Sequence, residues 1–245
     1  MIVTKVNNLC AGVVLATLGS VATVHAAPIL SISAQGLSDA QAAEANFLAG
    51  LEGGYTTETF DSGYTVGATG QSLTINNVVG TGTFTSNVQG TSGVCNSQGL
   101  ACSEGLAVLN SDNNQFGGRF AISGDNWLDS VDAQDMSLTL MPGQTSAGFF
   151  LTDPNDSGGL FEIGGSTWNA FSLLGNSSLN NGGVYYDSLY DAEGLTDISI
   201  RANNSDDYGI DNLTMGLVKV PEPATLALMA LGLFGLVSFS RRKPS

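Results

Sequence analysis

From Tyr55 to Val218 the chain alternates short apolar and β-branched runs with clusters of Gly, Asn, Asp and Ser. YTTETF, SLTIN, GTFTSNV, LAVLN, GRFAI, MSLTLM, AGFFLT, LFEI, VYYDSLY, LTDISIR and GIDNLTMGLV all read as strands between turns. In TDISIRA, Ile198 and Ile200 point to one face and Ser199 and Arg201 to the other. Helical spacing stands out once, in LSDAQAAEANFLAGLEGG, where Ala43, Phe47 and Leu51 recur on one face. Ser38 with Gln41 three residues later makes a capping box, and Gly53-Gly54 ends the helix. The pattern predicts a mainly β fold, a two-sheet jelly-roll-like sandwich with one short N-terminal helix covering one end of a sheet. Residues 27–54 supply a strand and that helix, and residues 55–219 supply the sandwich. No fixed-period repeat is visible, which argues against a propeller or solenoid.

Both ends break this texture. Residues 1–26 carry one cation, Lys5, then an apolar stretch from Leu9 to Val24 and small residues at the close. This is the pattern of a secretory signal peptide, cut by signal peptidase after Ala26. A cut after Ala27 would leave Pro28 first, and Cys10 lies inside the apolar run rather than at a lipoprotein cleavage point. At the other end, residues 220–245 run Pro221-Glu222-Pro223, an apolar segment Ala224 to Phe239, then Arg241, Arg242 and Lys243. Sixteen residues make a helix of about 24 Å, a short transmembrane span against a hydrocarbon core of about 30 Å. The terminal cations and Lys5 both favour the cytoplasmic side, so the body between them is exported. Pro221 and Pro223 keep the junction extended.

Charge then narrows the partners. Between the two ends only Arg119, Arg201 and Lys219 oppose 21 acidic residues, a net charge of −18. Such a field repels nucleic acid and anionic lipid. Cys95 and Cys102, seven positions apart in a turn-rich loop, are read as a local disulfide in an oxidising compartment. A metal site at that pair needs two more Cys or His ligands, which the body lacks. His25, the one histidine, leaves with the signal peptide, so His-based triads and zinc sites are excluded. No nucleophile elbow, phosphate loop or dinucleotide fingerprint appears, and the body is read as no enzyme.

Three chemistries remain open on the residue types. Asp153, Asn155 and Ser157 at alternate positions before Gly158 resemble the opening of a calcium loop. That match breaks at its twelfth position, Gly164, and an ordinary Asp-Pro turn accounts for the same residues. Asp61 on an early strand and Asp211 on the last form a second candidate, where neighbouring strands bring them together on a structural calcium. The alternative makes Asp211 a cap for backbone donors at a bulge. For a sugar-binding face the candidates are Trp127, Trp168, Tyr185, Tyr186 and Tyr190, although a packed strand residue is the commoner role for such a side chain. Glycoside hydrolysis needs only two carboxylates, but the acids here lie mostly in polar turns.

The tail, by its order of Pro221-Glu222-Pro223, apolar helix and Arg241-Arg242-Lys243, resembles the PEP-CTERM sorting signal of Gram-negative bacteria. That resemblance covers about 26 residues and implies processing by an exosortase, transient inner-membrane anchoring and delivery to the cell surface or extracellular matrix. The body is similar to exported β-sandwich proteins that precede such tails. The expectation is a surface or matrix protein with a structural or adhesive role in exopolysaccharide, biofilm or floc. The alternatives are a calcium-assisted carbohydrate-binding module and a polysaccharide-acting enzyme. No cofactor beyond structural calcium is implied, and extracellular polysaccharide is the expected partner.

Overall fold

The computed structural model describes residues 27–70, 72–76, 81–89, 105–112, 118–131, 133–140, 142–154, 159–163, 165–175, 179–201 and 208–218. The signal peptide, the Cys95–Cys102 pair and the C-terminal tail lie outside these residues.

Two antiparallel sheets face each other. The larger has eight strands, β1 (Ile29–Ile32), β2 (Thr56–Glu58), β3 (Thr69–Gly70), β6 (Leu106–Asn110), β7 (Asn126–Asp129), β9 (Ser146–Thr152), β12 (Val184–Tyr190) and β14 (Gly209–Gly216). Its order is β1-β12-β9-β14-β7-β6-β3, with β2 also paired to β14. The smaller has the order β11-β10-β13-β8-β5-β4. Its strands are β4 (Ser72–Asn76), β5 (Thr81–Gln89), β8 (Ala133–Leu140), β10 (Leu160–Ile163), β11 (Ser166–Asn169) and β13 (Asp197–Arg201). Helix α1 (Leu37–Gly50) follows β1, and the short α2 (Ala170–Leu174) follows β11.

The core is the space between the sheets. Phe149, Leu151, Ile210, Leu213 and Met215 enter it from the large sheet, and Phe84, Met136, Leu138, Phe161, Ile198 and Ile200 from the small one. Each such side chain, fully buried, contributes roughly 1.5–3 kcal/mol. The small sheet turns its other face to water with hydroxyl and charged residues, among them Thr139 bonded to Asp197 and Arg201 paired to Glu162 at 2.6 Å. The large sheet is covered on both faces. On its outer side α1 lays Ala40, Ala43 and Phe47 over Phe150, Val184 and Tyr186. Gly148 makes that docking possible, since any side chain there would collide with the Tyr186 hydroxyl and the Phe47 ring.

Strand β12 carries one residue at odds with its surroundings. Asp187 pairs in register with Ile32 and Phe149, on the inward face between Tyr185 and Leu189. It is wholly buried and, among the described residues, neither carboxyl oxygen has a hydrogen-bond partner. Burial alone pushes its pKa well above the usual carboxylate range.

Several expectations shift. The strand expected over GRFAI, residues 118–122, is an irregular segment instead. Helix α1 starts one residue before Ser38, with Gly36 at its N-cap and no side-chain cap, and ends at Gly50 before Gly53-Gly54. Leu51, expected on the helical face, forms an isolated bridge with Val218. Strand β7, NWLD, lay within no apolar run yet occupies the middle of the large sheet, because Trp127 and Leu128 feed opposite faces.

Asp187 generates a test. A carboxyl with a raised folded pKa opposes folding increasingly as pH climbs above its unfolded value near 4. Thermal melts of Asp187→Leu are expected to exceed wild type at pH 8 by several degrees, at about 2–4 °C per kcal/mol for this size, and to converge at pH 4. Equal melting temperatures at both pH values would contradict a buried, unpaired acid.

Candidate functional site

The site begins with a miscount in β14. Asp211 lies opposite Phe150 and Thr214 opposite Gly148, so Asn212 and Leu213 together face Phe149. This bulge is what turns Leu213 and Met215 inward beside Ile210, whose spacing an unbroken strand would split between faces. Asn212 adopts the left-handed conformation (φ 49°) that Asn tolerates better than most residues. At the same point β14 changes neighbour, pairing with β7 through Gly209 and Ile210 and with β2 through Leu213 to Met215.

Two carboxylates fill the gap at that change of partner and hold residues 122–126. Asp211 Oδ2 accepts the backbone N–H groups of Ile122 (2.7 Å) and Ser123 (3.0 Å), while Oδ1 accepts that of Asn212 (2.7 Å). Asp61, three residues after β2, accepts through Oδ1 the N–H groups of Asp125 (2.8 Å) and Asn126 (3.1 Å). Gly124 lies between them at φ 64°, where a side chain would run into the Asp61 carboxylate. Asn212 adds a side-chain link, bonding Ser123 Oγ and donating to Glu44 Oε1 on α1 at 3.1 Å.

The electrostatics follow from burial. Asp211 is pushed up to about 7 by desolvation, against its three backbone donors and with a further push from the charge of Asp61. Glu44 is raised by burial, partly offset by Asn212. For the exposed Asp61, a smaller burial effect yields to the donors of Asp125, Thr59 and Asn126, and its pKa is lowered.

The segment is also tied at its start. Arg119, 3% exposed, places Nε 2.8 Å from Asp129 Oδ2, which also accepts Trp127 Nε1–H at 3.0 Å. Ala121 packs on the Trp127 cluster and Ile122 on the α1 cluster, so the segment covers the outer sheet face between them. Phe120 remains outside, 39% exposed, beside an open cleft of about 210 Å³ bordered by Ser111, Gly124, Asp125 and Trp127. This feature was hidden in the sequence by the strand-like look of GRFAI.

Of the expected metal ligands, Asp61 and Asp211 do act on one segment, with Asp211 capping backbone donors at the bulge. Asp153 is held apart, accepting from the Gly182 N–H, and Asn155 and Ser157 lie outside the described residues. Among the described residues no group of three or more His, Cys, Asp or Glu comes together to hold a metal. The expected sugar-facing aromatics are mostly interior. Tyr185 and Tyr186 are each 1% exposed on opposite sheet faces, Trp127 is likewise buried, and Trp168 packs against the core.

Residues 219–243 match the PEP-CTERM protein-sorting motif. The motif implies an exported protein of a Gram-negative bacterium that passes through the membrane and is processed by an exosortase. No curated protein matches the chain. Among solved structures, the K2 cleaved adhesin domain of Lys-gingipain (Kgp) is similar at 15% identity and TM-score 0.38, over 68% of this chain and 99% of that one. So loose a likeness carries no functional weight. Among the described residues no helix is long and apolar enough to cross a membrane.

Because Asp211 and Glu44 are both raised, their contribution to stability is greatest below the unfolded carboxylate range and is lost as pH rises through about 7. Chemical denaturation of wild type is therefore expected to show falling stability from pH 5 to pH 8, with a shallower fall in Asp211→Asn. Asp211→Ala, which strands three backbone donors, is expected to cost about 1–3 kcal/mol, and the exposed Asp61→Ala less. A pH profile unaltered by Asp211→Asn would refute the assignment.

Proposed function

We propose that this protein is an exosortase substrate whose sandwich acts outside the cell, in a structural or adhesive role within extracellular polysaccharide, and performs no chemistry itself. The observation that carries this reading is the position of the sorting motif. It begins at residue 219, directly after Val218, the last of the described residues. Val218 bridges Leu51 and donates to Thr145 Oγ1 at 3.1 Å, and Leu217 accepts from the Glu52 N–H at 2.7 Å.

The strand register supports tethering by that end. Ile29, Tyr190, Ser146 and Gly216 form one row across β1, β12, β9 and β14. Three strand spacings, about 14 Å, thus separate Ile29 from Gly216, so that the first and last strands of the described residues begin and end at one pole of the sandwich. A chain entering and leaving the membrane beside itself folds between its two membrane segments without threading. The acidic, hydroxyl-rich exterior suits a hydrated polysaccharide setting, and a body without histidine lacks the commonest acid–base residue.

Deleting residues 220–245 tests this. The truncated protein is expected to stay in the periplasm or escape into the medium, with cell aggregation reduced. Surface delivery and aggregation equal to wild type would contradict the reading.

A further inference from the structure

We infer that the Phe120 cleft is a binding site for one pyranose ring of a polysaccharide whose sugar is uncharged or carries an amino group. The inference rests on the matrix role proposed above and supplies its molecular contact.

Three observations lead there. First, residues 118–125 form no regular element, yet two carboxylates, a buried ion pair and two apolar contacts fix them, a density of anchoring unusual for a connecting loop. Second, what this rigid segment presents is Phe120, the one exposed phenylalanine among the described residues. Its neighbours Ala121 and Ile122 are packed inward, so the ring is held out by the backbone path. Third, the cleft beside it mixes this apolar ring with groups that bond hydroxyls. Asp125 and Ser111 are both exposed on its border, and Asp125 is fixed through its N–H to Asp61.

A pyranose has the complementary chemistry. One face of the ring is a patch of C–H groups that lies on an aromatic side chain, and its edge carries hydroxyls that donate to a carboxylate or exchange hydrogen bonds with a serine. At about 210 Å³ the cleft falls below the roughly 300 Å³ lower limit of drug-sized pockets and suits a single ring. Charge selects among sugars. Asp125 and the strongly acidic body repel a uronic acid and accept a neutral or cationic amino sugar. Of the aromatic residues first expected on a sugar-binding face only Trp127 borders the cleft, and it is almost wholly buried.

The exported protein, purified from producing cells, is to be titrated calorimetrically with cellotetraose, a glucosamine tetramer and a galacturonic acid tetramer. Binding is expected for at least one of the first two and not for the third. Phe120→Ala is expected to weaken it at least tenfold and Asp125→Asn at least threefold with the thermal melt unchanged, while Phe120→Trp binds as well as wild type or better. Absence of binding, preference for the uronic acid, or wild-type affinity in Phe120→Ala would overturn the site. So would self-association that Phe120→Ala abolishes without any sugar bound, which would make the cleft a contact between copies. If sugar binding fails while deletion of 220–245 still blocks surface delivery, the cleft assignment falls and the sorting reading stands. Sugar binding with unaltered delivery gives the reverse.

Discussion

One extra residue in β14 sets the arrangement of this molecule. Without the bulge at Asn212, the last strand could not turn Ile210, Leu213 and Met215 all toward the core. With it, the strand bends, changes partner from β7 to β2, and leaves a gap in the large sheet that a loop must cover. A loop over a sheet face brings backbone donors into a partly dry place, where each unpaired donor costs about 1–3 kcal/mol. Asp211 and Asp61 answer four of those donors. The strain of Asn212, the buried acid and the fixed loop are consequences of a single register shift.

That dependence explains what could be read in advance. Alternation along SLTIN and DISIR, and the β-branched and aromatic content of AGFFLT and VYYDSLY, place those strands correctly. Asp61 and Asp211 were identifiable as a pair because first and last strands of such sandwiches lie together, as β2 and β14 do. Their task was less legible, since a carboxylate that binds a cation and one that caps backbone amides look alike in a sequence. GRFAI failed for a related reason. Arg119, Ala121 and Ile122 are packed against three different partners, and period-two patterning cannot distinguish that from a strand. Strand β7 escaped notice because Asn126 and Asp129 are used for hydrogen bonds within the fold and mask the strand character of Trp127 and Leu128.

Destination and activity are written in different parts of the chain. The sorting motif is a linear pattern, legible residue by residue. Whatever the sandwich contacts depends on three-dimensional placement, as Phe120 illustrates, where exposure arises from what its neighbours bury. The acidic groups that resist burial, Asp187, Asp211 and Glu44, all lie in the large sheet or against it. They bias the fold toward mildly acidic conditions.

The clamp is the claim on which the loop, the cleft and the pH dependence rest, and amide hydrogen exchange addresses it most directly. The amides of Ile122, Ser123 and Asp125 belong to no strand, so their protection comes from the two carboxylates. Exchange in wild type is expected to be slow at Ile122 and Ser123, and at least tenfold faster at both in Asp211→Ala while the β9 and β12 amides stay protected. Fast exchange at Ile122 and Ser123 in wild type would contradict the clamp.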